Sequence, residues 1–125
     1  MCVVALIWQK DYNREKIHHR GKINGGKNMQ FLIKANDGPN MLEKRMAVRP
    51  RHLEGMKALG RQIIVAGGLL DERGKMKGSA LVMDFPDRAA LDEYLNNEPY
   101  VVEGVWQKIE VEIMNVVLVN GEKVQ

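Results

Sequence analysis

The order of elements predicts an α+β fold of the split βαβ kind, with a four-stranded antiparallel sheet carrying two helices on one face. Three observations predict it. Short apolar runs at 29–35, 62–70 and 77–85, with an alternating run from 106, have the period and composition of strands. Segments 41–60 and 87–97 have helical spacing. Turn residues punctuate the joints, so the chain reads strand, helix, strand, strand, helix, strand.

Each element has its own local reason. Met29–Ala35 (MQFLIKA) is closed off by Asn36-Asp37-Gly38-Pro39-Asn40, a dense turn cluster. From Met41 the spacing puts Leu42, Arg45 and Met46, then Leu53, Met56 and Leu59, on one side, and Gly60 offers a C-terminal cap. Pro50 stands inside that segment and pushes Arg49 towards extended geometry, so a break or kink is expected at 49–50. His52 is then expected in the first turn of the helix that follows. Residues 62–70 (QIIVAGGLL) are β-branched and apolar, with Gly67-Gly68 marking a bulge or close backbone approach. Asp71–Lys75 reads as a turn and Lys77–Phe85 as the return strand of a hairpin. Asp87 is an N-cap for a helix with Leu91 and Leu95 on one face and Tyr94 beside them, ending at Asn96-Asn97. Pro99 opens a short turn or helix through Gly104. Trp106–Val119 is the last strand region, where Ile109, Val111 and Ile113 alternate with Lys108, Glu110 and Glu112. Asn120-Gly121 then permits another turn.

The length of 125 residues and the apolar fraction of 45% suit one domain with a real core. The formal charge of +3 is unevenly placed: residues 1–28 hold six Lys/Arg against two Asp/Glu, and residues 29–125 hold thirteen against fourteen. The domain therefore lacks the basic footprint of a nucleic-acid binder. The single cysteine, Cys2, excludes an internal disulfide and a multi-cysteine metal site. The apolar segment Cys2–Trp8 falls well short of the ~20 residues of a membrane span and lacks the flanks of a signal peptide, so a cytoplasmic protein without membrane attachment is expected. Gly25-Gly26-Lys27-Asn28-Met29 is what a purine-rich ribosome-binding site and spacer would give if translated in frame. The expected division is a dispensable extension over 1–28, a domain over 29–119 and a tail over 120–125. Two helices cover one face of a four-stranded sheet, and the strands carry apolar residues at both parities. A face that apolar predicts a homodimer built through the sheets.

The residues that suit chemistry are few. His52 shares a helical side with Met56 and so borders apolar surface; a lone histidine there is more often structural, while the functional reading is a general base. Glu98 precedes Pro99, which turns residue 98 out of helical geometry; it is a surface acid at a helix end or the partner that orients His52 and stabilises its charged ring. Arg49 and Arg51 suit a substrate carboxylate, against the plainer reading of solvated arginines. Ser79 has a strand hydroxyl suited to a ligand, and Tyr100 and Trp106 read as core or pocket wall.

These residues carry a resemblance. Met29-Gln30-Phe31-Leu32-Ile33, Arg49-Pro50-x-His52-Leu53, Ala66-Gly67-Gly68-Leu69-Leu70, Gly74-x-x-x-Gly78-Ser79 and Glu98-Pro99-Tyr100-Val101-x-x-Gly104-Val105 together resemble YCII-related (YciI-like) proteins over roughly 29–117. The resemblance implies a ferredoxin-like fold that dimerises into an α/β barrel. It implies an active site pairing His52 with the acid of the D-P-Y motif, here Glu98 in place of aspartate, and the extra methylene is expected to loosen the support. Related barrel families include lactone isomerases, cofactor-free monooxygenases and a dehydrochlorinase, and fold alone does not choose among them. The expected function is histidine-dependent acid–base chemistry (elimination, isomerisation or hydrolysis) on a small cyclic or aromatic ligand, with no metal or organic cofactor. The competing class is a non-catalytic ligand-binding or accessory dimer.

Overall fold

The computed structural model describes residues 27–124; the expectations for Cys2–Trp8 and for the dispensability of the extension lie outside the described residues. The order is β1 (Met29–Asp37), α1 (Leu42–Leu59), a 3-10 turn (Gly60–Gln62), β2 (Ile63–Leu70), β3 (Met76–Phe85), α2 (Arg88–Asn97), α3 (Pro99–Val102), β4 (Trp106–Met114), β5 (Leu118–Val119) and β6 (Glu122–Lys123). The main sheet has the order β2-β3-β1-β4 with antiparallel neighbours throughout, the ferredoxin-like α+β arrangement. Among the described residues no helix is long and apolar enough to cross a membrane.

Alternation along β1 sets the core. Met29, Phe31, Ile33 and Ala35 are buried, and the register places Phe31 opposite Met83 and Ile33 opposite both Leu81 and Val111. Leu91 and Leu95 of α2, Tyr100 and Val101 of α3, and Val48 and Met56 of α1 close over that face. Each fully buried aliphatic or aromatic side chain contributes about 1.5–3 kcal/mol relative to exposure, so this layer rather than surface ion pairs holds the domain. Asp87 caps α2 as its residue type predicts, accepting from the Ala90 amide at 2.9 Å. The opposite face of the sheet is mixed. The register puts Val65, Leu69, Val82 and Leu32 on its β2 side, and Lys34, Lys108, Glu110 and Glu112 towards β4.

Four local expectations differ from the structure. No break separates Arg49 from Pro50: α1 runs unbroken through Pro50. Pro50 cannot donate to the Met46 carbonyl, yet both residues are exposed, where water can serve that carbonyl, so tertiary packing carries the helix across. His52 therefore lies in the body of α1 and not in a first turn. The buried face of α1 is Arg45, Val48, His52 and Met56, while Leu42, Met46 and Leu53 are exposed. Gly67-Gly68 lie in regular pairing, and the register slips on either side of them, at Ile63/Val65 and Leu69/Leu70. The last strand stops at Met114, and residues 118–123 form a small hairpin that crosses the expected 119/120 boundary. Its turn residues Asn120 and Gly121 have φ of 52° and 79°, the left-handed pair that a two-residue hairpin turn needs.

Gly78 permits the close pairing of β3 with β1, since a Cβ there would run into the carbonyl oxygen of Ala35 on the neighbouring strand. Gly78→Ala is expected to destabilise the domain by about 1–3 kcal/mol, as overpacking against fixed backbone does. Thermal unfolding checks this; an unchanged melting temperature would mean that the two strands part at no cost.

Candidate active site

α1 and the α2–α3 junction meet at one buried contact. The Nδ1 atom of His52 lies 2.7 Å from Oε1 of Glu98, and the two residues are 7% and 2% exposed. Glu98 has extended backbone (φ −67°, ψ 123°) because it sits between two helices, and Pro99 takes the first position of α3. That geometry makes Glu98 the N-cap of α3, its Oε1 accepting also from the Tyr100 amide at 3.2 Å. Its second oxygen, Oε2, accepts from the Tyr94 hydroxyl at 2.6 Å. Three donors thus satisfy one buried carboxylate, the condition under which such a charge is tolerated inside a protein. The longer glutamate side chain spans His52, the Tyr100 amide and Tyr94 at 2.7, 3.2 and 2.6 Å.

The ring of His52 is fixed as firmly as its nitrogen. It stacks on Tyr100 with centroids 4.1 Å apart and planes at 17°, and meets Trp106 edge-on at 5.8 Å and 74°. With the neutral ring donating from Nδ1 to Glu98, Nε2 carries the lone pair, and no side chain among the described residues is hydrogen-bonded to it. Burial, with the charge and hydrogen bond of Glu98 adding to it, raises the Tyr94 pKa far above the usual phenol range, so Tyr94 remains a donor. Burial also raises the Tyr100 pKa, against the pull of Arg45 and Arg49.

His52 and Tyr100 line a cavity of about 570 Å³ between α1 and the β2–β3 edge, together with Arg45, Arg49, Met56, Gly67, Gly68 and Ser79. Of the residues singled out in the sequence as substrate-binding, Arg49, Ser79 and Tyr100 reach one place, with Glu98 directly behind His52. Arg51 does not: it is exposed and pairs with Glu103 at 3.3 Å. Ser79 has a further task, since its hydroxyl oxygen accepts from the Arg45 guanidinium at 2.8 Å.

Sequence reasoning missed Arg45, Asp37 and Tyr94. Arg45 is buried, donates to both Asp37 carboxylate oxygens at 2.9 and 3.1 Å, and sits 4.7 Å over the Tyr100 ring. Burial raises the Asp37 pKa, and the charge and hydrogen bond of Arg45 oppose that rise. The available signal was spacing: Arg45 and His52 are seven apart, two turns on one helical side, and Tyr94 and Glu98 are four apart.

Residues 29–115 match the YCII-related domain. The chain belongs to that family. An uncharacterized protein of Haemophilus influenzae is 33% identical over 91 residues, covering 66% of this chain and 93% of that protein. Protein YciI of Escherichia coli is 32% identical over 92 residues, with 66% and 93% covered. Among solved structures, 5-chloro-2-hydroxyhydroquinone dehydrochlorinase of Burkholderia phenoliruptrix AC1100, in complex with 2,5-dihydroxybenzoquinone, superposes with a TM-score of 0.65 at 27% identity, over 70% of this chain and 94% of that one. In this YCII-related chain the Arg49-Pro50-x-His52 and Glu98-Pro99-Tyr100 stretches meet at the wall of the cavity, through the His52–Glu98 contact and the His52–Tyr100 stack.

Tyr94→Phe keeps the ring and removes one of the three donors to the buried Glu98 carboxylate. The expected cost is about 1–3 kcal/mol, the range for a hydrogen bond to a charged group. Chemical denaturation of the variant checks it, and stability equal to wild type would mean that Glu98 is not held from that side.

Proposed function

We propose that this chain is a small-molecule enzyme in which His52 moves a proton and Glu98 supports it. The observation that carries the reading is the 2.7 Å contact between His52 Nδ1 and a fully buried carboxylate, beside a cavity of small-molecule size. Nε2 takes a proton from a ligand carbon or hydroxyl, and the imidazolium that forms is stabilised by Glu98. The electron pair left on the ligand expels a group on the adjacent atom in an elimination, or takes the proton back at another atom in an isomerisation. If Nε2 instead draws its proton from water, the same pair performs hydrolysis. None of these steps calls for a redox group. The likeness to a Burkholderia enzyme named for removing chloride from a hydroxyhydroquinone supports a small cyclic or aromatic substrate and favours elimination within this set.

A screen of small cyclic compounds for thermal stabilisation finds the ligand, since binding to the folded state raises apparent stability. With it in hand, His52→Ala is expected to lower turnover by at least ~10²-fold, as loss of a general base does. Ligand affinity should stay within about tenfold, because the lost stabilisation belongs to the transition state. Glu98→Gln should cost less than His52→Ala. Wild-type turnover in folded His52→Ala would reduce the site to a binding pocket.

The reading includes a homodimer through the sheet face that no helix covers among the described residues. Val65 is 57% and Leu32 37% exposed there, with charged residues alongside that suit a polar rim. Sedimentation is expected to give about twice the chain mass of 14.2 kDa at micromolar concentration; a monomer would contradict it.

A further inference from the structure

α1 turns four nitrogen-bearing side chains towards the cavity: Arg45, Arg49, His52 and Lys57. Among the described residues no carboxylate lines it. Asp37 and Glu98 pair with Arg45 and His52 without lining the cavity, so two of the four are answered from within the protein. Arg49 and Lys57 have no ion-pair partner among the described residues. The positive wall is local, because residues 29–125 carry thirteen Lys/Arg against fourteen Asp/Glu. The facing wall is apolar, with Ile63, Ala66 and Leu81, and it is flattened at Gly68, which pairs with Ser79 on the cavity side of the sheet and presents no side chain. A Cβ built on Gly68 would only touch the Met76 thioether at 3.4 Å.

We infer that the molecule this site takes is a planar monoanion, an aromatic or enolic acid, with its charged oxygens on the Arg49 guanidinium and its ring along the glycine wall. The inference rests on the reading of this cavity as the substrate site. Arg49 is the anchor because it is a partly buried residue with no ion-pair partner among the described residues, one helical turn from His52 on the same cavity. Arg45 is already neutralised by Asp37 and locked by Ser79, and Lys57 is exposed at the mouth. A half-buried cation also attracts an anion more strongly than a fully solvated one does.

The test uses benzoate and benzamide as probes, which share ring and shape and differ by one charge. Binding to the full chain is followed by NMR titration at constant ionic strength. Benzoate is expected to bind at least ~10-fold more tightly than benzamide, and Arg49→Gln to remove that preference, as loss of a charged hydrogen-bonding group would. Lys57→Gln, at an exposed position, should weaken benzoate only about two- to threefold. Failure of the catalytic reading is seen in the turnover of His52→Ala and failure of this one in the benzoate preference of Arg49→Gln, so the two are told apart in different variants. Equal binding of the two probes, no binding of benzoate, or an unchanged preference in folded Arg49→Gln would overturn the inference.

Discussion

A buried carboxylate has to be answered by donors, and the arrangement around Glu98 follows from that constraint. Removing a charge from water costs several kcal/mol unless hydrogen bonds replace the solvent. Glu98 meets the condition with donors from three elements: His52 on α1, Tyr94 on α2 and the Tyr100 amide on α3. The same residue caps α3, so the cap that places the short helix is also the group that orients the histidine. Tyr100, the second residue of α3, lies where its ring stacks on His52. The imidazole is therefore set at Nδ1 by a charge and on its plane by an aromatic ring, and neither can shift without disturbing the other.

Nitrogen-bearing side chains and acids around the cavity form two layers. Arg45 and His52 face the space, and Asp37 and Glu98 stand behind them. Behind the histidine, the acid holds the ring at Nδ1, 2.7 Å away. Behind Arg45, the acid and the Ser79 hydroxyl fix a guanidinium that in turn covers Tyr100. The layering leaves Arg49 and Lys57 as the cavity's cations without an ion-pair partner among the described residues.

The sequence made the element order and the main site pair legible, because both rest on short-range chemistry. Alternation in 29–35, the turn cluster at 36–40, Asp87 as a cap and Pro99 as a helix start each act within a few residues. Failures came where distant packing decides. Pro50 reads locally as a break, yet α1 passes through it because Val48, His52 and Met56 on the buried side hold both halves. Leu53 and Met46 look like core by residue type but face solvent, while the charged Arg45 is buried. An arginine is buried only when its partners are present, and Asp37 and Ser79 arrive from two different strands that no local pattern links to it. Tyr94 was legible as a core residue, while its hydroxyl contact with Glu98 depends on a side chain reaching back across the end of α2.

The central claim is that Glu98 holds His52 with Nδ1 protonated and Nε2 free to act. Long-range proton–nitrogen correlation spectra of the full chain, at a pH where the ring is neutral, read the two ring nitrogens of His52 directly. The account predicts a protonated Nδ1 and a bare Nε2 as the main form. A neutral ring with its proton on Nε2 would leave the lone pair facing the carboxylate and would contradict the account.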